Sequence, residues 1–161
     1  MKKYLLIMII LAFGCSYSVY TTGLPHLKTI RIQTFENKTD EYDLSEDLLN
    51  YLSDNFERDG RLKLVELEPD CILAGEILDY TEKIYTYKEE DIEEYEVKIL
   101  FKVRFKDVNN NEDIWSNDAL ILKERYADDS EYTEINSEEE AQQEIFKELY
   151  ETILRNTLEE W

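Results

Sequence analysis

From Val97 to Lys106 two kinds of residue interleave: Val97, Ile99, Phe101, Val103 and Phe105 are apolar, and Lys98, Lys102, Arg104 and Lys106 are basic. A period of two places the first set on one face of a strand and the second on the other. Segregation is incomplete, because Leu100 shares the basic side. Such a strand folds only where an apolar layer covers one face and water or opposite charge meets the other. The rest of the chain must therefore supply a cover for one side of a sheet.

Two segments have the pattern to do so. Leu44, Leu48, Leu49, Leu52 and Phe56 recur at three- and four-residue steps and predict a helix over 43–59. Asp43 with Glu46 resembles a capping box, and Gly60 reads as the stop. Ala141, Ile145, Leu149, Ile153 and Leu158, flanked by Phe146, Tyr150 and Leu154, predict a second helix reaching the C-terminus. Ser137 and Glu140 form the S-x-x-E box that opens it. Further strands are read over 28–35, 61–66, 71–80 with an extension to Tyr87, and 114–125. The acidic run Glu89-Glu90-Asp91-Ile92-Glu93-Glu94 reads as a hairpin loop, Asp107 to Asp113 as a turn, and 127–137 as a polar connection. The order β-α-β-β-β-β-α implies an α+β two-layer sandwich, two helices packed on one face of a mixed, mostly antiparallel sheet. Its first two strands are expected to pair in parallel through a crossover.

The N-terminus reads as an export signal. Lys2 and Lys3 precede an 11-residue, mostly apolar run from Tyr4 to Gly14, and Ala12 and Gly14 are small residues before Cys15. The run is far shorter than the roughly 20 residues of a membrane-spanning helix. A cysteine at the cut site reads as a bacterial lipoprotein signal, in which Cys15 receives fatty acyl chains such as palmitate and anchors the mature chain. This gives residues 1–14 as signal peptide, 15–26 as a lipidated tether and 27–161 as one domain. With Cys15 acylated, Cys71 has no disulfide partner and reads as a buried, inert thiol.

Loss of Lys2 and Lys3 leaves 16 basic and 38 acidic residues, a net charge of −22. That charge argues against a nucleic-acid partner. No catalytic motif is present: there is no C-x-x-C, H-E-x-x-H, Walker loop or G-x-S-x-G, and four glycines are too few for a phosphate-cradling loop. His26, beside Pro25 in the tether, reads as a solvated imidazole. Glu76 and Glu82 stand on a strand but in no motif, so neither a catalytic residue nor a metal or cofactor site is assigned. The scarce basic residues say more. Lys98, Lys102, Arg104 and Lys106, with Lys123 and Arg125 if their strand is adjacent, form either a solvated face with cross-strand acid partners or a stripe for anionic ligand groups. Tyr80, Tyr85, Tyr87 and Tyr95 reflect either strand propensity or an aromatic contact surface.

Several segments occur in a telling order: Gly14-Cys15-Ser16-Tyr17, Leu24-Pro25-His26-Leu27-Lys28-Thr29-Ile30, Phe35-Glu36-Asn37-Lys38-Thr39, Asp59-Gly60-Arg61, then Pro69 to Ile77, and a C-terminal helix ending in Trp161. The series resembles the LptE family of lipopolysaccharide-assembly lipoproteins of the outer membrane. The resemblance implies two helices on a sheet, no enzymatic activity, and acylation of Cys15. It also implies a plug inside an LptD β-barrel whose assembly it assists, and contact with lipopolysaccharide on its way to the outer leaflet. Lys98, Lys102 and Arg104 are the candidate lipopolysaccharide contacts, chosen from the basic stripe rather than from the resemblance. Gln33-Thr34 departs from the family's proline before the phenylalanine. Phe35 to Thr39 also resembles a strand end in CsgG-like secretion lipoproteins and in activators of peptidoglycan synthases. A regulatory or secretion-associated lipoprotein is therefore the alternative reading.

Overall fold

The alternating strand lies inside a six-stranded sheet, buried on one face only. A computed structural model describes residues 24–88, 91–127 and 134–159. In chain order the elements are β1 (Thr29–Ile32), β2 (Glu36–Asn37), α1 (Leu44–Asp59), β3 (Lys63–Leu64), β4 (Cys71–Lys88), β5 (Asp91–Asp107), β6 (Glu112–Tyr126) and α2 (Glu138–Leu154). A π-helical turn, Arg155–Glu159, follows α2. The strand order is β3-β1-β4-β5-β6, with β2 also paired to β4. β1 runs parallel to β3 and to β4, whereas β4, β5 and β6 are antiparallel neighbours. This is the expected α+β sandwich on a mixed sheet, and its long pairings are antiparallel.

Val97, Ile99, Phe101, Val103 and Phe105 are 0–1% exposed. They join Leu44, Leu48, Leu52 and Phe56 of α1 and Ile145, Phe146, Leu149 and Ile153 of α2 in one core. Burying each such side chain contributes roughly 1.5–3 kcal/mol, which makes this layer the main stabilising force. The helices also touch one another. Phe56 meets Tyr150 edge-on at 5.1 Å, and Tyr51 lies 5.9 Å from Phe146.

The segment Asp59-Gly60-Arg61 closes α1. Gly60 adopts the left-handed conformation (φ 71°) and its N–H donates to the Phe56 carbonyl, the αL cap that glycine permits without strain. Arg61 then forks onto Asp59, with Nε and Nη2 at 2.7 and 2.8 Å, and reaches Glu159 at 3.3 Å, tying the end of α1 to the C-terminal turn. At the start of α2 the Ser137 hydroxyl accepts from the Glu140 N–H, as the S-x-x-E pattern requires. The return arm, however, bonds the N–H of Asn136.

Five details differ from the sequence reading. Asp43 sits at the start of α1 but its side chain makes no capping bond. Its backbone is already helical (φ −88°, ψ −7°), and its carbonyl accepts from Glu46 and Asp47 instead. The 28–35 strand stops at Ile32, and a second short strand beyond it, Glu36–Asn37, pairs with Glu76–Ile77. Only after that pairing does the chain turn, with Asn37 Oδ1 accepting from the Thr39 N–H and hydroxyl. The 61–66 strand contracts to Lys63–Leu64. The acidic hairpin is shorter than read: Asp91 already pairs with Lys88 and Glu94 with Thr86, so main-chain pairing carries through residues whose composition suggested a loop. Glu89 and Glu90 lie outside the described residues. Finally, α2 gives way at Arg155 to the π-helical turn, in which Thr157 and Leu158 are buried. Trp161 also lies outside the described residues.

Gly75 explains the break between β1 and β2. A Cβ there would stand 2.3 Å from Phe35 Cε1 and 2.4 Å from the Lys102 carbonyl. Phe35, 2% exposed, thus packs directly on the bare backbone of β4. Gly75→Ala is expected to lower stability by about 1–3 kcal/mol, the usual cost of overpacking, because backbone and ring both block the methyl. Urea unfolding followed by circular dichroism measures it, and an unchanged midpoint would contradict the packing.

Candidate functional site

The helix-free face of β4, β5 and β6 collects the basic residues singled out above. Register places Lys98 opposite Thr81 and Lys123, Lys102 opposite Glu76, and Arg104 opposite Ala74 and Ser116. All three candidates therefore share one face of β5. None stands alone. Lys98 Nζ lies 3.2 Å from Asp79, Lys102 Nζ lies 3.4 Å from Glu76 and 3.8 Å from Asp118, and Arg104 Nε lies 3.4 Å from Asp113. The cross-strand acid partners expected of a solvated face are thus present. Leu100 and Ile121 face one another across β5 and β6, and Ile121 is 57% exposed, so the lattice of charge surrounds a small apolar centre.

Where β1 and β2 diverge beside β4, a shallow cleft of about 390 Å³ opens. It is lined by Gln33, Thr34, Glu36, Glu76, Lys102 and Arg104. Two of the three candidates meet here, beside two carboxylates. The cleft offers an anion or a sugar paired donors and acceptors rather than a bare positive field. A groove of about 1020 Å³ beside α2 is mainly acidic, with Glu94, Glu124, Glu139, Glu140 and Glu144 in its wall against Arg125 and Lys147.

The sequence reading missed the residue that organises this face. Glu96 is 3% exposed, although it lies on the side without helices. Lys83 Nζ donates to it at 2.9 Å, while Lys123 Nζ and Arg125 Nε approach at 3.6 and 3.8 Å. The stems of these long side chains screen the carboxylate. The bond from Lys83, with the charges of Lys123 and Arg125 acting against burial, holds its carboxyl below the ordinary glutamate value. Arg125 also stacks on Tyr85, 3.4 Å from the ring centroid. An acid amid lysines on a basic face was the available signal for Glu96. The tyrosines divide between faces: Tyr95 stacks on Tyr126 at 5.0 Å, and Tyr80 donates to Glu138, so neither belongs to an outer aromatic surface.

His26 is exposed, as read, but its ring is also bonded. Its Nε2 is 2.6 Å from Asp107 Oδ2, and Asp107 is 3% exposed. Burial raises the Asp107 pKa, but the N–H and side-chain amide of Asn110 and the His26 bond outweigh it and hold the carboxyl low. Cys71 is buried and donates to the Thr29 carbonyl, and burial pushes its thiol up to about 12. Cys15 lies outside the described residues. Among those residues no helix is long and apolar enough to cross a membrane.

The family model of LptE, described as lipopolysaccharide-assembly, matches residues 27–157. The chain belongs to the LptE family. That match includes both helices, every strand and the whole basic face. Solved structures share the fold of this LptE-family chain. A hypothetical protein of Chlamydia trachomatis aligns with TM-score 0.57 at 12% identity, covering 81% of this chain and 97% of that one. The PelC dodecamer protein of Paraburkholderia phytofirmans aligns with TM-score 0.51 at 11% identity, over 88% and 92%. Lipoprotein B of Nitrosomonas europaea aligns with TM-score 0.51 at 18% identity, over 80% and 81%. Among the curated proteins none matches the sequence.

The Glu96 cluster sets an acid limit on the fold of this LptE-family domain. Its folded-state pKa is depressed, so its contribution is complete above the unfolded value of 4.5 and fades as pH falls through the lower folded value. Glu96→Gln is expected to cost about 1–2 kcal/mol at pH 7, less than a deeply buried pair because the site is shallow. The gap from wild type should narrow as pH falls below 4.5 and through the lower folded value. Thermal melts across that range test it, and a gap constant with pH would contradict it.

Proposed function

We propose that this LptE-family protein is a lipoprotein of the outer membrane that plugs an LptD-like β-barrel, assists its assembly, and helps deliver lipopolysaccharide to the outer leaflet. The observation that carries the reading is the family match over residues 27–157. Residues 1–14 serve as signal peptide, Cys15 carries the acyl chains, residues 15–26 form the tether, its last three residues fastened to the domain, and the domain faces the periplasm or the barrel lumen. The work is non-catalytic and done by surface.

The form of the domain is consistent with that role. A plug needs a rigid body whose exposed charges are mutually satisfied, since unpaired charge is costly against a barrel wall. The helix-free face meets that need, with each candidate cation paired to a carboxylate. Native lipoprotein extracted in mild detergent is expected to co-purify with a large outer-membrane β-barrel, identified by mass spectrometry of the complex. Recovery with a peptidoglycan synthase and no barrel would favour the regulatory alternative.

Lipopolysaccharide contact is assigned to Lys98, Lys102 and Arg104. Their neighbours hold them in place, so an incoming phosphate exchanges for a carboxylate partner rather than ordering a loose side chain. Lys98→Glu combined with Lys102→Glu should weaken binding of purified lipopolysaccharide by tenfold or more, the scale of ~1.4 kcal/mol. Circular dichroism should show the fold retained. Unchanged affinity in the folded double variant would leave these lysines as lattice members alone.

A further inference from the structure

The described chain begins fastened to one pole of the sandwich. Leu27 is buried, Leu24 packs against the core, and the Leu27 N–H donates to the Leu24 carbonyl. His26 bonds Asp107 at the end of β5, and Asp70 accepts from the Lys28 and Thr29 N–H groups and the Thr29 hydroxyl. Asn109 donates to the other Asp70 oxygen, and the Val108 N–H to the Asp70 carbonyl. The chain toward Cys15 therefore departs from the pole formed by the 65–70 loop and the 108–111 turn. The β4–β5 hairpin lies at the opposite end.

Two apolar side chains stand out on that pole. Leu67 is 83% exposed and Val108 is 39% exposed. Leu67 is held out by a fixed loop: Glu68 beside it is left-handed at φ 50°, and Asp70 is bonded on both sides. Lys28 and Lys63 are exposed neighbours on the same pole, joined by the Lys63 N–H to the Lys28 carbonyl.

We propose that this pole is a lipid-contacting surface, with Leu67 and Val108 entering the interfacial layer of the bilayer and Lys28 and Lys63 meeting lipid phosphates. The proposal rests on the reading of Cys15 as the acylated residue. Nine Cα-to-Cα steps separate Cys15 from Leu24, a reach of about 30 Å when fully extended. β4 alone runs 18 residues, about 60 Å, so the near pole and not the far hairpin is kept at the surface. Glu66 and Glu68 flank Leu67, so the pole has no strong electrostatic grip on anionic lipid. The acyl anchor removes that requirement. It holds the pole at high effective concentration beside the surface, where a shallow apolar contact suffices.

The test uses the full acylated chain in vesicles of phosphatidylethanolamine and phosphatidylglycerol. Leu67→Cys carries a polarity-sensitive maleimide dye, and Tyr42→Cys carries the same dye at the far end of α1, where Tyr42 is 93% exposed. Cys71 is buried and its thiol pKa is near 12, so labelling falls on the introduced thiol. The dye at 67 should shift to the blue and lose at least half its emission to brominated lipid chains, while the dye at 42 keeps its aqueous spectrum. If both dyes stay aqueous on protein shown by mass spectrometry to be acylated, the lipid-contacting pole is wrong and the anchor stands. If Cys15 proves unacylated, the anchor reading fails and this inference falls with it.

Discussion

Five side chains of β5 are withdrawn from water beneath both helices, and that burial dictates the rest of the architecture. A helix with one apolar stripe cannot hide it alone, and a sheet with one apolar face cannot either. α1 and α2 therefore lie on the same side, over Ile99, Phe101 and Phe105. The cost is that the other face of β4, β5 and β6 has no cover. Antiparallel strands tolerate this, because one face may stay wet. The outer residues then have to satisfy one another across the strands.

Most of the architecture was legible because it follows from periodicity. The inward set of β5, the stripes of both helices, the Gly60 stop and the Ser137 box are each local patterns with one physical solution. What escaped the sequence depends on contacts between distant residues. Glu36 and Asn37 form a strand only because Phe35 is drawn onto Gly75, forty residues away, which brings the backbone back to β4. Asp91 to Glu94 are strand despite their charge because β4 is long enough to pair with them. The candidate lysines were placed on the correct face by the same alternation. Their acid partners, and the burial of Glu96, depend on a register that sequence alone does not reveal. The ring of His26 is exposed as read, but its bond to Asp107 escaped for a similar reason, since the two lie eighty-one positions apart.

The burden of negative charge also resolves into particular places. Acids gather where the two helices begin: Glu41, Asp43, Asp47, Glu138 and Glu139 line one hollow around Tyr80. Carboxylates there offset the positive ends of the helix dipoles. They also push the Tyr80 phenol strongly upward, after burial and with Glu138 as its acceptor, so that it remains a donor. This hollow and the groove beside α2 make the helix layer acidic.

The sheet layer is different. On its outer face Lys83, Lys98, Lys102, Arg104, Lys123 and Arg125 meet Glu76, Asp79, Glu94, Glu96, Asp113 and Asp118. Six cations against six carboxylates make a local balance that the net charge of the whole chain hides. Screening over about 10 Å at ordinary ionic strength separates this face from the acidic helix side. A surface of closely spaced opposite charges gains little stability from each exposed pair. It does, however, hold the cations pre-positioned, with carboxylates that can be traded for other oxygens. The uncovered face therefore presents charges that neutralise one another at short range, whereas the helix side presents an excess of negative charge that repels anions.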